Sequence, residues 1–301
     1  MKSFSTRILL SVIVLLNGMV EAIAQDTPNH LAEIARQILD DGKPAAGRDA
    51  LIAANANQSA QAIAELVKQI KVGTDDEYRV IPWVWKISIA AGKRNDDSEI
   101  KEILSVSLPM IDEPLRDWQA VVIGGGIING LSLKGIWPRD RIENILRSDA
   151  KLQTRWLRSI KLASLMANDE KVRHGTRYDA LRMLGVAPWK DYGAQLTKYL
   201  GKQVNGELQQ GAVSGLSDVG AKEAAKTLIE NFENLSEANR QFALDALLRN
   251  DFRVSQLLDA IAAGKIKFSA LGTERLKTLK ASSNKKIRVR IQALEKSFGQ
   301  N

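Results

Sequence analysis

The sequence predicts an all-α protein, arranged as a right-handed α-solenoid of helix pairs. From end to end, segments of 10 to 18 residues carry apolar side chains at helical spacing, and sustained strand alternation is nearly absent. Short breaks rich in Gly, Pro and acidic residues separate these segments, as at 41–44, 112–114 and 185–188. In the second half of the chain a short motif recurs about every 32 residues, and this repeat predicts that the helices stack as a solenoid.

Residues 1–24 have the pattern of a cleavable signal peptide. Lys2 and Arg7 precede an apolar run at 8–16, and Ala22 and Ala24 flank the expected cleavage point. An uncleaved membrane anchor is the alternative, but nine helical residues span only about 14 Å of an apolar bilayer core of about 30 Å. Without a cysteine no lipid can be attached, so we expect an exported protein in the periplasm or outside the cell, with no membrane span after cleavage.

Residues 25–112 are predicted to form N-terminal helical repeats. Apolar stripes at 31–39 and 60–70 have the i, i+3, i+4 spacing of amphipathic helices. The segment at 78–89 is rich in Val, Ile and Trp, which also suits a strand, and we interpret it as a buried helix because its neighbours are helical. The glycine-rich stretch at 118–133 predicts a buried helix on which Gly126 and Gly130 allow close helix packing. A turn or a site of close ligand approach is the alternative, because the three consecutive glycines at 124–126 disfavour an unbroken helix.

Residues 113–301 are predicted to form further helical repeats that end in a basic region. Three short motifs of the form Ala-apolar-x-x-Leu begin at Ala180, Ala212 and Ala243, with spacings of 32 and 31 residues. Each is followed by a second amphipathic segment, and a helix pair recurring at this period is typical of an α-solenoid. A compact bundle without repeats is the alternative.

Composition argues against an enzyme. The chain has no cysteine and two histidines, which excludes thiol nucleophiles, cysteine zinc sites, iron–sulfur clusters and covalently attached haem. No catalytic motif is present, so we predict no catalytic residue, no metal site and no cofactor.

The excess of positive charge lies at the end of the chain. Residues 265–296 contain ten basic residues against Glu274 and Glu295, whereas residues 25–264 are close to neutral. This end either is a solvated surface or attracts a polyanion. The candidate binding residues are the basic Lys285, Lys286, Arg288 and Arg290 and the tryptophans Trp83 and Trp118, which are otherwise expected to pack in the core.

Five stretches carry a resemblance to a known family, at 78–85 (YRVIPWVW), 117–130, 240–248, 257–265 and 287–294. In these stretches the chain resembles the HEAT-like helical region of large exported proteins of planctomycete and verrucomicrobial bacteria. In those proteins a dehydrogenase-like propeller precedes this region and a c-type cytochrome domain follows it. Because neither flanking domain is matched here, the resemblance implies HEAT-like helix pairs and a scaffold role, without redox activity or haem.

Two functions remain open at this point. The first is a non-catalytic scaffold that binds a protein partner, for which the resemblance implies an envelope cytochrome or dehydrogenase. The second is a module that binds an acidic glycan or an anionic surface through the basic C-terminal helices. Nucleic acid is not expected as a partner.

Overall fold

The computed structural model describes residues 30–298, so the signal peptide predicted at 1–24 lies outside the described residues. Residues 30–298 form helices joined by turns and contain no strand, which confirms the all-α prediction. The helices are α1 (30–38), α2 (Ala45–Ala54), α3 (Ser59–Lys68), α4 (Glu77–Arg94), α5 (Asp97–Ser107), α6 (Asp117–Ala120), α7 (Ile128–Leu133), α8 (Pro138–Leu146), α9 (Ala150–Asn168), α10 (His174–Leu184), α11 (Trp189–Lys198), α12 (Gly206–Asp218), α13 (Lys222–Glu230), α14 (Glu237–Leu247), α15 (Asp251–Ala262), α16 (Gly272–Lys280) and α17 (Lys285–Phe298).

The chain divides into two compact units, one ending at Ile87 and one beginning at Ser88, so the boundary falls within α4. In the first unit, Ile34, Ile38 and Ile63 are buried, as the apolar stripes at 31–39 and 60–70 predict. The segment at 78–89 is helical, which confirms its interpretation as a helix.

In the second unit the helices pack in two series of alternate helices. One series runs from α10 to α12 to α14, and α10 also packs on α9 and on the glycine-rich segment that precedes α7. The other series runs from α11 to α13 to α15 to α17. The aligned motifs lie at the centre of the first series, with every one of their apolar side chains at most 1% exposed: Ala180, Leu181, Leu184, Ala212, Val213, Leu216, Ala243, Leu244 and Leu247.

A second feature repeats at the same 32- and 31-residue offsets, three positions before each motif. Arg177 Nε donates to the carbonyl oxygen of Ala167 at 2.9 Å, and Gln209 Nε2 donates to that of Gly201 at 3.2 Å. Arg240 Nε donates to the carbonyl oxygen of Phe232 at 3.2 Å. Each of these side chains therefore ties the first turns of one helix to the chain at, or just after, the end of the helix before it.

Several helices of this unit begin at a residue whose side chain accepts a backbone N–H. Asp96, Asp149, Asn205 and Asn250 cap α5, α9, α12 and α15. Ser236 accepts from the N–H of Asn239 at 3.3 Å and caps α14 in the same way. Such caps stabilise a helix by about 1 kcal/mol each.

The glycine-rich stretch is a buried helix, as predicted, but its middle is not α-helical. Residues Val121–Ile127 form a π-helical segment that joins α6 and α7 into one continuous helix. A Cβ atom on Gly130 would lie 2.3 Å from the carbonyl oxygen of Ile89 and 2.7 Å from Cα of Gly92. The backbones of α4 and α7 therefore touch there, which confirms the close packing predicted for this glycine.

Among residues 30–298, no single helix is long and apolar enough to cross a membrane. One pair of helices, Asp117–Leu133 and Pro138–Leu146, meets that criterion together by length and composition, with a bend of 114° between them. Most of the apolar side chains of this pair are buried inside the protein.

Candidate binding surface

The basic residues predicted as a binding patch separate into two kinds in α17. The side chains of Lys285 and Lys286 are exposed and have no ion-pair partner among residues 30–298. Arg288 Nη1 donates to the carbonyl oxygens of Ser282 and Ser283 at 2.6 and 2.9 Å, where it closes the turn before α17.

Arg290, the fourth predicted residue, is bound within the protein. Its Nη2 lies 2.5 Å from Oδ1 of Asp259, and its Nη1 donates to the carbonyl oxygen of Ser255 at 3.3 Å. Two of the four predicted basic side chains therefore hold α17 against its surroundings, and two are free to meet a ligand.

The two predicted tryptophans belong to different units. Trp83 is only 8% exposed, and Arg48 Cζ and Lys86 Nζ lie 4.2 and 4.5 Å from the centre of its ring. These cation–π contacts occupy the aromatic surface that a ligand would need. Trp118, in α6, is half-buried in the second unit.

An open cleft of about 180 Å³ lies between α8, α9 and α11 in the second unit. Trp156 and Ile160 form part of its floor and are 3% and 4% exposed. Leu157 lines the same cleft but is 60% exposed. The cleft thus combines a packed apolar floor with an apolar side chain that water still reaches.

The charged side chains that line this cleft are both acidic. Glu143 lies 3.0 Å from Arg139, one turn earlier on α8, and Asp191 has no ion-pair partner among residues 30–298. Tyr192 lies beside Asp191, and burial, together with the charge of that carboxylate, raises the pKa of the phenol. Its hydroxyl therefore stays protonated at neutral pH and can donate a hydrogen bond.

A buried charge cluster lies elsewhere in this unit, around the C-terminal end of α12. The side chain of Asp218 is fully buried, and its Oδ1 accepts from Ser132 Oγ and from Arg249 Nη1, both at 2.5 Å. Arg182 Nη2 lies 3.7 Å from Oδ2, too far for a hydrogen bond but close enough to act as a charge.

Arg253 completes this cluster. Its guanidinium donates to the carbonyl oxygens of Leu216 and Val219 at the end of α12 and to that of Ala246 in α14. Burial and the neighbouring Arg249 lower the pKa of Arg253 to about 10, so it is still charged at neutral pH. The helix-end carbonyls, which carry partial negative charge, offset this buried positive charge.

Trp137 supplies the remaining contact of the cluster. Its ring centre lies 4.3 Å from Arg249 Cζ and 5.3 Å from Arg253 Cζ. The guanidinium groups of Arg249 and Arg253 are thus already bound to backbone carbonyls, a carboxylate and an aromatic ring within the protein. We therefore interpret the cluster as a structural one that holds α12, α14 and α15 together. Sequence reasoning missed it, because nothing in the sequence distinguishes these arginines from solvated ones.

One further carboxyl group is buried in α10. Asp179 Oδ1 has no hydrogen-bond partner, and burial raises the pKa of this group well above its ordinary value. The charge of Arg182 opposes this shift, and that of Glu207 adds to it. Among residues 30–298, no group of three or more His, Asp or Glu side chains is placed to hold a metal ion.

Comparisons of this chain with protein-family models, with curated proteins and with solved structures found no match.

Proposed function

We propose that this protein is an exported, non-catalytic scaffold that binds a protein partner, built as a right-handed α-solenoid of HEAT-like helix pairs. The observation that carries the proposal is the packing of alternate helices in two series, with buried motifs and helix-end ties at offsets of 32 and 31 residues. Units that repeat in this way bury their apolar faces against their neighbours and leave a broad surface for partners.

The cleft between α8, α9 and α11 favours a protein as that partner. Its volume of about 180 Å³ lies below the range of roughly 300–1,000 Å³ that is usual for small-molecule pockets. A partner that inserts one side chain and covers the rim would remove the exposed surface of Leu157 from water. The resemblance suggests an envelope cytochrome or dehydrogenase for this role.

The compartment is part of the same proposal. Cleavage after Ala24 would leave a mature chain that begins at Gln25. The intact mass of the protein from its native cell fraction tests this: a mass that retains residues 1–24 contradicts a cleaved signal peptide.

A polyanion-binding module is the second candidate, favoured by the free lysines of the C-terminal region. Six exposed lysine side chains there have no ion-pair partner among residues 30–298: Lys265, Lys267, Lys277, Lys285, Lys286 and Lys296. Binding through these side chains would fall steeply between low and moderate salt, because salt screens exposed charges beyond about 10 Å at 0.1 M.

Chemical crosslinking of the protein in its native envelope, followed by mass spectrometry of the adducts, tests the scaffold proposal. We expect one or a few defined protein adducts that persist at moderate salt. Adducts with glycan or lipid alone, or adducts that vanish at moderate salt, would support the polyanion alternative and contradict the scaffold.

A further inference from the structure

We propose that the cleft between α8, α9 and α11 binds a peptide segment of a partner protein that carries one large apolar side chain next to a lysine or arginine. This inference rests on the proposed function and names the chemistry of the partner at one site. Three properties of the cleft support it, namely its apolar surface, its size and its charge.

The apolar surface is the first property. The floor is densely packed, with Trp156 and Ile160 almost fully buried, while Leu157 stands at the rim with 60% of its surface exposed. Pro188, from the turn before α11, also lines the cleft. A side chain inserted here would remove from water the exposed surface of Leu157 together with its own apolar surface, while the packed floor supplies close contacts.

The size of the cleft, its second property, favours a single inserted side chain (the anchor) over an entire small-molecule ligand. A volume of about 180 Å³ is too small for most small-molecule ligands and suits one large side chain. The rest of the partner segment would then lie over the rim, in reach of Leu157 and of the Tyr192 hydroxyl, which can donate to a peptide carbonyl.

The charge of the cleft, its third property, favours a particular type of residue next to the anchor in the partner peptide. Glu143 and Asp191 are its charged lining residues, and no basic side chain lines it. Arg139 partly neutralises Glu143, so Asp191 provides most of the unpaired negative charge. A basic residue beside the anchor would meet a complementary charge, whereas an acidic residue would be repelled.

Selection from a random peptide display library on the full mature chain tests the proposal. We expect the enriched peptides to share an apolar anchor next to Lys or Arg. A synthetic peptide of the enriched sequence should bind Leu157→Asn about tenfold more weakly or worse, because its anchor loses the apolar rim. Leu133→Asn is the matched control, since Leu133 is also 60% exposed but does not line the cleft, and it should bind like the wild type.

Charge reversal tests the flanking preference. Asp191→Lys should lose binding of the basic peptides and enrich peptides with acidic flanks in a second selection. Glu170→Lys, which reverses an exposed acid outside the cleft, should leave the selected sequences unchanged. Thermal melts followed by circular dichroism confirm that all four variants are folded.

The proposal is overturned if no peptides are enriched, if the enriched peptides lack a basic flank, or if Leu157→Asn and Leu133→Asn bind equally well. Self-association of the chain that Leu157→Asn abolishes would also overturn it, because a second copy would then be the occupant. Protein adducts in the envelope without cleft binding would contradict this inference alone, whereas the absence of any protein adduct would contradict the proposed function.

Discussion

Two regions of the second unit use positive charge in opposite ways. Around the end of α12, Arg182, Arg249 and Arg253 are buried or nearly so and point at a carboxylate, at backbone carbonyls and at an aromatic ring. At the start of α17, Lys285 and Lys286 extend into water. The guanidinium group offers several donors in a rigid plane, so it can satisfy many acceptors when buried, whereas an ammonium group is strongly hydrated. In these two regions, therefore, guanidinium groups hold the helices together and ammonium groups are open to a partner.

The largest loss of stability is expected when the buried carboxylate of Asp218 is removed. Asp218→Ala leaves Arg182 and Arg249 without their counter-charge, and we expect it to lower the free energy of unfolding by about 3–5 kcal/mol. Asp259→Ala is the matched control, because both carboxylates lie 2.5 Å from an arginine but Asp259 is 72% exposed and Asp218 is fully buried. The control should cost about 0–1 kcal/mol. Urea unfolding followed by circular dichroism measures both, and equal losses would contradict the comparison.

A smaller effect is expected when a buried arginine becomes lysine. Arg249→Lys keeps the charge but loses the planar donors that bind Asp218 Oδ1, the Ser217 carbonyl oxygen and the Ile136 carbonyl oxygen together. Leaving such buried acceptors without a donor costs about 1–3 kcal/mol. Arg288→Lys, in the first turn of α17, should change stability by less than about 0.5 kcal/mol, as is usual for substitutions near the surface. Equal losses of stability for the two substitutions in urea unfolding would contradict the view that the buried guanidinium group cannot be replaced by an ammonium group.

Replacing Asp179 is expected to raise the free energy of unfolding rather than lower it. Because burial raises the pKa of this carboxyl in the folded state, the folded chain holds a proton that the unfolded chain releases above about pH 4. Stability from this group is therefore fully present below that pH and falls as the pH rises toward the folded-state pKa. Asp179→Asn has no proton to lose, so it should be more stable than the wild type at pH 7, by a margin that shrinks toward pH 4. A margin independent of pH, measured by urea unfolding at both values, would contradict this assignment.

The smallest change in stability is expected for the exposed lysines at the start of α17. The double variant Lys285→Glu and Lys286→Glu should unfold within about 0.5 kcal/mol of the wild type, because neither side chain has a partner in the fold. Crosslinking of this variant in the envelope should give the same protein adducts as the wild type. Loss of those adducts would move the binding surface to α17.

The sequence predicts the helices and their buried faces well, because helical periodicity is a local property. The motifs at Ala180, Ala212 and Ala243 and the close approach at Gly130 were visible in this way. The buried charge cluster was not, since Ser132 and Asp218 are 86 residues apart and their contact depends on packing.

The candidate site was the least predictable part of the molecule. Arg290 was expected to face a ligand, but it pairs with Asp259 on α15, a contact that spans 31 residues. Trp83 was picked for its residue type, and its ring lies under Arg48 and Lys86. The cleft combines side chains from α8, α9 and α11, and no local pattern marks that combination.

Site-specific photocrosslinking in the native envelope tests the central claim most directly, by placing a photoreactive amino acid at Leu157 or, as the control, at Leu133. The two side chains are equally exposed, so nonspecific collisions should label both alike. We predict a discrete protein adduct from position 157 and none, or a much weaker one, from position 133. Equal labelling at the two positions, or no protein adduct from position 157, would contradict the claim that this chain holds a protein partner at the cleft.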